Sequence, residues 1–119
     1  MQKILKKFDA NTIIFNQGDL GTEMFIIASG EVEIYSVKNN VHKTISKLRK
    51  GEMFGEMALV ASDHSRSAFA KATQDETVLV CINESHFVYL VSQQPAFALS
   101  VIRTIAQRLS KLNDSSKLA

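Results

Sequence analysis

Cysteine is nearly absent from this chain of 119 residues: Cys81 stands alone, which excludes an intramolecular disulfide and any metal centre built from several thiolates. It sits in the apolar run Val78-Leu79-Val80-Cys81-Ile82, where a thiol packs as a small hydrophobe. No apolar stretch reaches the roughly 18 residues that a membrane-spanning helix needs. The opening Met1-Gln2-Lys3-Ile4-Leu5-Lys6-Lys7-Phe8 carries charges where a signal peptide requires an apolar core. A cytoplasmic location with no membrane partner is therefore expected. Charge of one sign is also in short supply. A net charge of +2 without a cluster of basic residues argues against direct nucleic-acid binding. The three histidines, His42, His64 and His86, are scattered with no carboxylate at a matching offset, so no metal centre and no cofactor are expected. Ser62, Ser65 and Ser67 lie near His64 in sequence, yet a nucleophilic triad also needs an oriented base and an oxyanion site. The chain is not read as an enzyme.

What is present suits a single domain over residues 1–119, since 45% hydrophobic and 22% charged residues fit one globular core. Ile4, Leu5 and Phe8 stand at helical spacing, predicting a short amphipathic helix within residues 1–10. Ile13-Ile14-Phe15 reads as a strand closed by Asn16-Gln17-Gly18-Asp19, and Gly21-Thr22 signals a second turn. Met24 to Ala28 is an apolar run. Glu31 to Val37 alternates polar with apolar, the period of a strand with one wet face. Asn39-Asn40 supplies a hairpin turn, Thr44 to Leu48 alternates again, and Ser67 to Ala72 and Thr77 to Ile82 read as further strands.

After Asn83-Glu84-Ser85 the period becomes helical. His86, Phe87, Leu90 and Val91 predict a short helix, and Pro95, the only proline, stands at the first position of a second helix running to about Leu112. The apolar face of that helix is broad at Phe97, Ala98 and Val101 and narrows to the seam Ile102, Ile105, Leu109 and Leu112, which suits a partner helix. The tail from Asp114 is expected to fray. Strands followed by helices imply an α+β, mainly β, fold in which the strands form a sandwich or jelly-roll barrel.

The chemistry concentrates between Gly51 and Ala72, in GEMFGEMALVASDHSRSAFAKA. Gly55 permits close backbone approach or positive φ. If Glu56-Met57-Ala58-Leu59 opens a helical turn, its first N–H groups point outward and accept an anion such as phosphate. Arg66 adds a planar, permanently charged fork suited to phosphate oxygens. Glu56 repels phosphate, so its natural partner is a hydroxyl donor such as a ribose 2′-OH. On local chemistry alone a second arrangement stands beside this one: Glu56 and Arg66 paired with each other across a hairpin.

Taken jointly, the pieces resemble the cyclic nucleotide-binding domain family, in its catabolite-activator-like branch without the DNA-binding domain. Ile14-Phe15-Asn16-Gln17-Gly18-Asp19, Met24-Phe25-Ile26-Ile27 and Gly30-Glu31-Val32 are similar to the family's early strands. Gly51 to Leu59 and Arg66-Ser67-Ala68 are similar to its phosphate-binding cassette. The resemblance implies an eight-stranded jelly-roll (double-stranded β-helix) barrel over residues 11–84, a short helix inside the cassette 51–72, and two C-terminal helices within 85–113, the last covering the pocket. It implies a regulatory module that binds a 3′,5′-cyclic mononucleotide, cAMP or else cGMP, and relays binding through the last helix about a hinge at Pro95. By the same resemblance Gly55 and the backbone of Met57 and Ala58 lie near phosphate and ribose, Glu56 accepts the 2′-OH, Arg66 pairs with the phosphate, and Ser67, followed by Ala68, adds a hydroxyl. Ile34, Ile45 and Leu48 correspond to base-contacting positions, with core packing as their competing role. Arg108 corresponds to an arginine near the nucleotide, with a solvated face or dimer contact as its competing role.

The chain departs from the activator type at Leu112 and Asn113, where small hydroxyl side chains would recognise adenine. Asn113 can hydrogen-bond a purine edge. No room follows Leu112 for a second recognition helix, so a stand-alone sensor or one domain of a longer protein is expected. The rival is a member of the fold that has lost its ligand and dimerises through Ile102, Ile105, Leu109 and Leu112. The intact Glu56 and Arg66 favour the sensor.

Overall fold

Turn chemistry and apolar alternation cut the first part of the chain into short strands. A computed structural model describes residues 5–56, 59 and 64–117, with side chains as far as residue 107. The chain divides into two units, 1–84 and 85–119. In the first unit the strands are β1 (Leu5–Phe8), β2 (Ile13–Phe15), β3 (Glu23–Ser29), β4 (Glu31–Lys38), β5 (Val41–Arg49), β6 (Met53–Phe54), β7 (Phe69–Ala72) and β8 (Thr77–Asn83). They form two four-stranded sheets, in the orders β1-β8-β3-β6 and β2-β7-β4-β5. Every pairing is antiparallel. Apart from β4 and β5, consecutive strands lie in different sheets, the crossing pattern of a mainly β jelly roll.

Two turns show why these residues break the chain where they do. Asn39 and Asn40 both take positive φ, 54° and 63°, the conformation that a two-residue hairpin between twisted strands demands and that asparagine tolerates. Gly30 joins β3 to β4 at φ +88°, and a Cβ there would stand 2.7 Å from the Thr77 Cα, so only glycine fits.

The two sheets share one core. Phe25, Ile27, Val32, Leu48, Phe54, Ala70, Leu79 and Cys81 are buried together, with Phe8, Ile14, Phe15 and Ile34 packed against them. Phe25 and Phe54 stack with centroids 5.0 Å apart, within the range in which offset aromatic pairs attract. Burial pushes the Cys81 thiol pKa up, as its role of small hydrophobe requires.

The N-terminal helix expected within residues 1–10 is corrected. Leu5–Phe8 is a strand, hydrogen-bonded antiparallel to β8 from Leu5↔Val80 to Phe8↔Thr77. Without β1 the β8 edge would carry unpaired N–H and C=O groups, and satisfying them outweighs the helical spacing of a few apolar residues, one of which, Leu5, is 59% exposed. The rest of that expected helix, residues 1–4, lies outside the described residues. So does the cassette helix, apart from Leu59, whose N–H donates to the Glu56 carbonyl at 3.0 Å.

The helices are α1 (Glu84–Gln93), of which all but Glu84 falls in the second unit, and α2 (Pro95–Lys117). Pro95 opens α2, the position that needs no N–H, and the Phe97 N–H donates to the Gln94 carbonyl at 2.9 Å. Phe87 of α1 meets Phe97 of α2 edge to face at 5.7 Å. The helix runs past the expected end at Leu112 as far as Lys117. No helix among the described residues is long and apolar enough to cross a membrane.

Candidate functional site

Arg66 is fixed first through its backbone. Its N–H donates to the Asp19 carbonyl and its carbonyl accepts from the Gly18 N–H, both at 2.8 Å, while the Gly21 N–H donates to the His64 carbonyl at 2.9 Å. Leu20 and Ser65 form an antiparallel bridge between these contacts. The turn closing β2 thus holds the segment that precedes β7 like a short extra ladder.

The guanidinium then points inward and is 7% exposed. Its Nη1 donates to the Gly55 carbonyl at 3.1 Å and its Nη2 to the Glu23 carbonyl at 2.8 Å. The Phe15 ring lies beneath it, with Cζ 4.3 Å from the centroid, and Phe25 lies further off at 5.6 Å. Burial lowers the Arg66 pKa, and the carboxylates of Glu23 and Asp19 oppose that shift. Guanidinium stays charged under such pressure. Its Nε is buried without a hydrogen-bond partner among the described residues. The result is a desolvated cation supported by carbonyl dipoles and a ring face, an arrangement that favours an anion placed against it.

Glu56 follows Gly55 at the end of β6 and is 2% exposed. Gly55 has φ +77°, which turns the chain so that its carbonyl meets Arg66. Both terminal nitrogens of Arg66 thus serve backbone carbonyls. The structure therefore brings Gly55 against Arg66, with the buried Glu56 next to Gly55 in the chain. Ala68 is buried and Ser67 exposed.

The expected base-contacting residues separate. Leu48 is buried in the core and Ile34 packs against it, while Ile45 is 57% exposed. Met57 and Ala58 lie outside the described residues. Arg108, Leu109, Leu112 and Asn113 fall on α2 beyond the last described side chain. Ile102 is 59% exposed, and Ile105 is partly buried.

A cavity of about 300 Å³ opens beside Arg66 and is lined by Phe8, Ile14, Phe15, Gly21 and Glu23 among others; Ile34, Leu48 and Glu56 are not in its lining. It marks the β2–β3 side of the arginine. Phe15, Gly21 and Glu23 are the contributors that sequence reasoning missed. Phe15 reads as part of a strand and Gly21 as a turn, and the Glu23 contribution is a carbonyl that no side chain reveals.

The family model for the cyclic nucleotide-binding domain matches residues 5–94. The cyclic AMP receptor protein of Thermus thermophilus is 35% identical over 97 residues, covering 81% of this chain and 44% of that protein. A cAMP-dependent protein kinase regulatory subunit of Mycosarcoma maydis is 32% identical over 90 residues, covering 73% and 17%. The crystal structure of the Thermus thermophilus catabolite activator protein superposes with a TM-score of 0.86 at 30% identity, covering 96% of this chain and 53% of that one. The chain thus spans about half the length of these relatives or less.

Proposed function

The chain belongs to the cyclic nucleotide-binding domain family, and on that premise we propose that it is a regulatory module whose ligand is cAMP. The observation that carries this reading is the buried Arg66 guanidinium, held by the Glu23 carbonyl and by the carbonyl of Gly55, the residue that precedes the buried Glu56. Arg66 takes the cyclic phosphate, and Glu56 accepts the ribose 2′-OH. Ser67 and the backbone of Gly55, Met57 and Ala58 complete the phosphate and sugar end, while Ile34, Ile45 and Leu48 face the base. Two relatives, a cyclic AMP receptor protein and a regulatory subunit of a cAMP-dependent kinase, favour cAMP over cGMP.

Each charge has one job. A buried cation is costly until an anion joins it, so the phosphate gains from Arg66 what water would otherwise have given. A carboxylate beside it repels phosphate but accepts a hydroxyl, which orients the nucleotide sugar-first toward Glu56. Binding is relayed to α2, with the junction at Pro95 as hinge and Arg108 and Asn113 as the helix's contributions to the ligand. That relay needs the ligand to bind one arrangement better than the other.

Calorimetric titration with cAMP and cGMP tests the reading. Heat and a raised melting temperature with cAMP are expected, and neither effect at millimolar nucleotide would sink it. Arg66→Ala should weaken binding by about 2–5 kcal/mol, the cost of leaving one partner of a desolvated charge pair unmatched. Unchanged affinity in that variant means that the phosphate lies elsewhere.

A further inference from the structure

Four of the five glycines, Gly18, Gly30, Gly51 and Gly55, have φ between 77° and 89°, where side chains are strained. Gly21 does not: its φ lies outside the left-handed region, so left-handed strain does not account for a glycine there. Its lack of a side chain needs another cause, and the structure supplies one. A Cβ built on Gly21 would stand inside the van der Waals contact distance of Arg66 Nε, Cζ and Nη2. The bare Cα of Gly21 is a wall of the arginine's cage, together with the Phe15 ring at 4.3 Å and the Glu23 and Gly55 carbonyls at 2.8 and 3.1 Å.

We propose that Gly21 is a positioning residue for anion recognition, which sets the affinity for the ligand's phosphate by leaving room for the Arg66 guanidinium. This rests on the reading of Arg66 as the phosphate partner. The atoms in the way of a methyl group belong to the far end of a long, flexible side chain, not to backbone. Adding that methyl therefore acts on the guanidinium and not directly on the backbone. The backbone ladder does not depend on the missing side chain, since the Gly21 N–H to His64 and the Leu20–Ser65 bridge are open to alanine as well. What is lost is the placement of the charge: a displaced guanidinium gives up the two carbonyls that aim it.

The test is a double-mutant cycle of wild type, Gly21→Ala, Arg66→Ala and the double variant, read by calorimetry with cAMP and by thermal melting. Gly21→Ala is expected to weaken binding at least about tenfold, and the same change in the Arg66→Ala background to alter it by less than about twofold. Wild-type affinity in Gly21→Ala, or an equal loss in both backgrounds, overturns the proposal, because a purely structural glycine would act without regard to Arg66. Melting reads the collision independently of any ligand. Gly21→Ala lowers the melting temperature when Arg66 is present and leaves it unchanged when position 66 is alanine, whereas equal shifts in both backgrounds overturn the proposal. If Gly21→Ala does not fold, a folded double variant supports the collision and an unfolded one refutes it. Failure of the wild type to bind any cyclic nucleotide removes the assigned role of Arg66, yet the melting cycle still decides whether Gly21 places its side chain.

Discussion

At the scale of single residues, the outer face of β4 shows how burial and charge are balanced away from the site. Strand alternation puts Glu31 and Glu33 on the face opposite Val32, a wet face by sequence, yet they are only 8% and 7% exposed. Their covers come from neighbouring strands and loops, which is why the sequence did not show it. Glu31 meets Arg49 and Thr73. Glu33 meets His42 Nε2 at 2.9 Å, the Thr44 hydroxyl, and Lys71 Nζ at 3.7 Å. The hydrogen bond from Thr44, and then that from His42, holds the Glu33 carboxyl below its ordinary value of 4.5 against the opposing effect of burial. A carboxyl depressed by folding stabilises the folded state above its unfolded pKa, and that contribution fades as pH falls through the lower folded value. Glu33→Gln should thus cost about 1 kcal/mol at neutral pH, the worth of a hydrogen bond to a charged group less solvent screening. Urea unfolding at neutral pH and again well below 4.5 checks this. A deficit that stays the same at both pH values would show that the charge of Glu33 is not what matters.

At the scale of elements, the strands that were legible were those with both a strong alternation and a marked turn. Asn39-Asn40 and Gly30 bracket β4 in sequence just as they do in the structure. β1 was illegible because what decides it is not in its own residues: Leu5–Phe8 becomes a strand to complete the edge of β8, a partner far along the chain. β6 is only Met53–Phe54, too short for any periodicity, and is set by pairing with Ile26 and Phe25 of β3. The β3–β4 turn carries a prediction that contrasts with Gly21. At Gly30 both obstacles to a side chain are rigid, a φ of +88° and the Thr77 Cα at 2.7 Å. Gly30→Ala should destabilise the fold by at least about 1–3 kcal/mol, the usual cost of a strained backbone position. Chemical denaturation measures it, and a change of less than half of about 1 kcal/mol would contradict the rigidity argued for this turn.

At the scale of the whole molecule, the phosphate end of the site was legible as a local motif, since Gly55, Glu56 and Arg66 fall within one stretch. Its cage was not, because Phe15, Gly21 and Glu23 are brought to Arg66 only by the tie between residues 18–21 and 64–66 and by the place of β3 in its sheet. At the base end, Leu48 lies in the core and Ile34 packs against it. The seam on α2 concerns association, and there the structure adds one fact: Ile102 is 59% exposed. If the seam pairs two copies about a twofold axis, Ile102 is buried at two places, once on each copy. Full burial of an exposed isoleucine contributes about 1.5–3 kcal/mol and the 59% of Ile102 that is exposed about 1–2 kcal/mol, so losing both copies removes about 2–4 kcal/mol and raises the dimer dissociation constant by a factor on the order of thirty to a thousand. Ile102→Asp should therefore turn a dimer into a monomer while leaving the melting of the monomer nearly unchanged, because an exposed helix position tolerates a charge. Light scattering across a concentration series reads both proteins directly. A wild type that keeps the mass of one chain at the highest concentration rules the seam out as a dimer contact, and a variant as dimeric as the wild type moves the contact to another face.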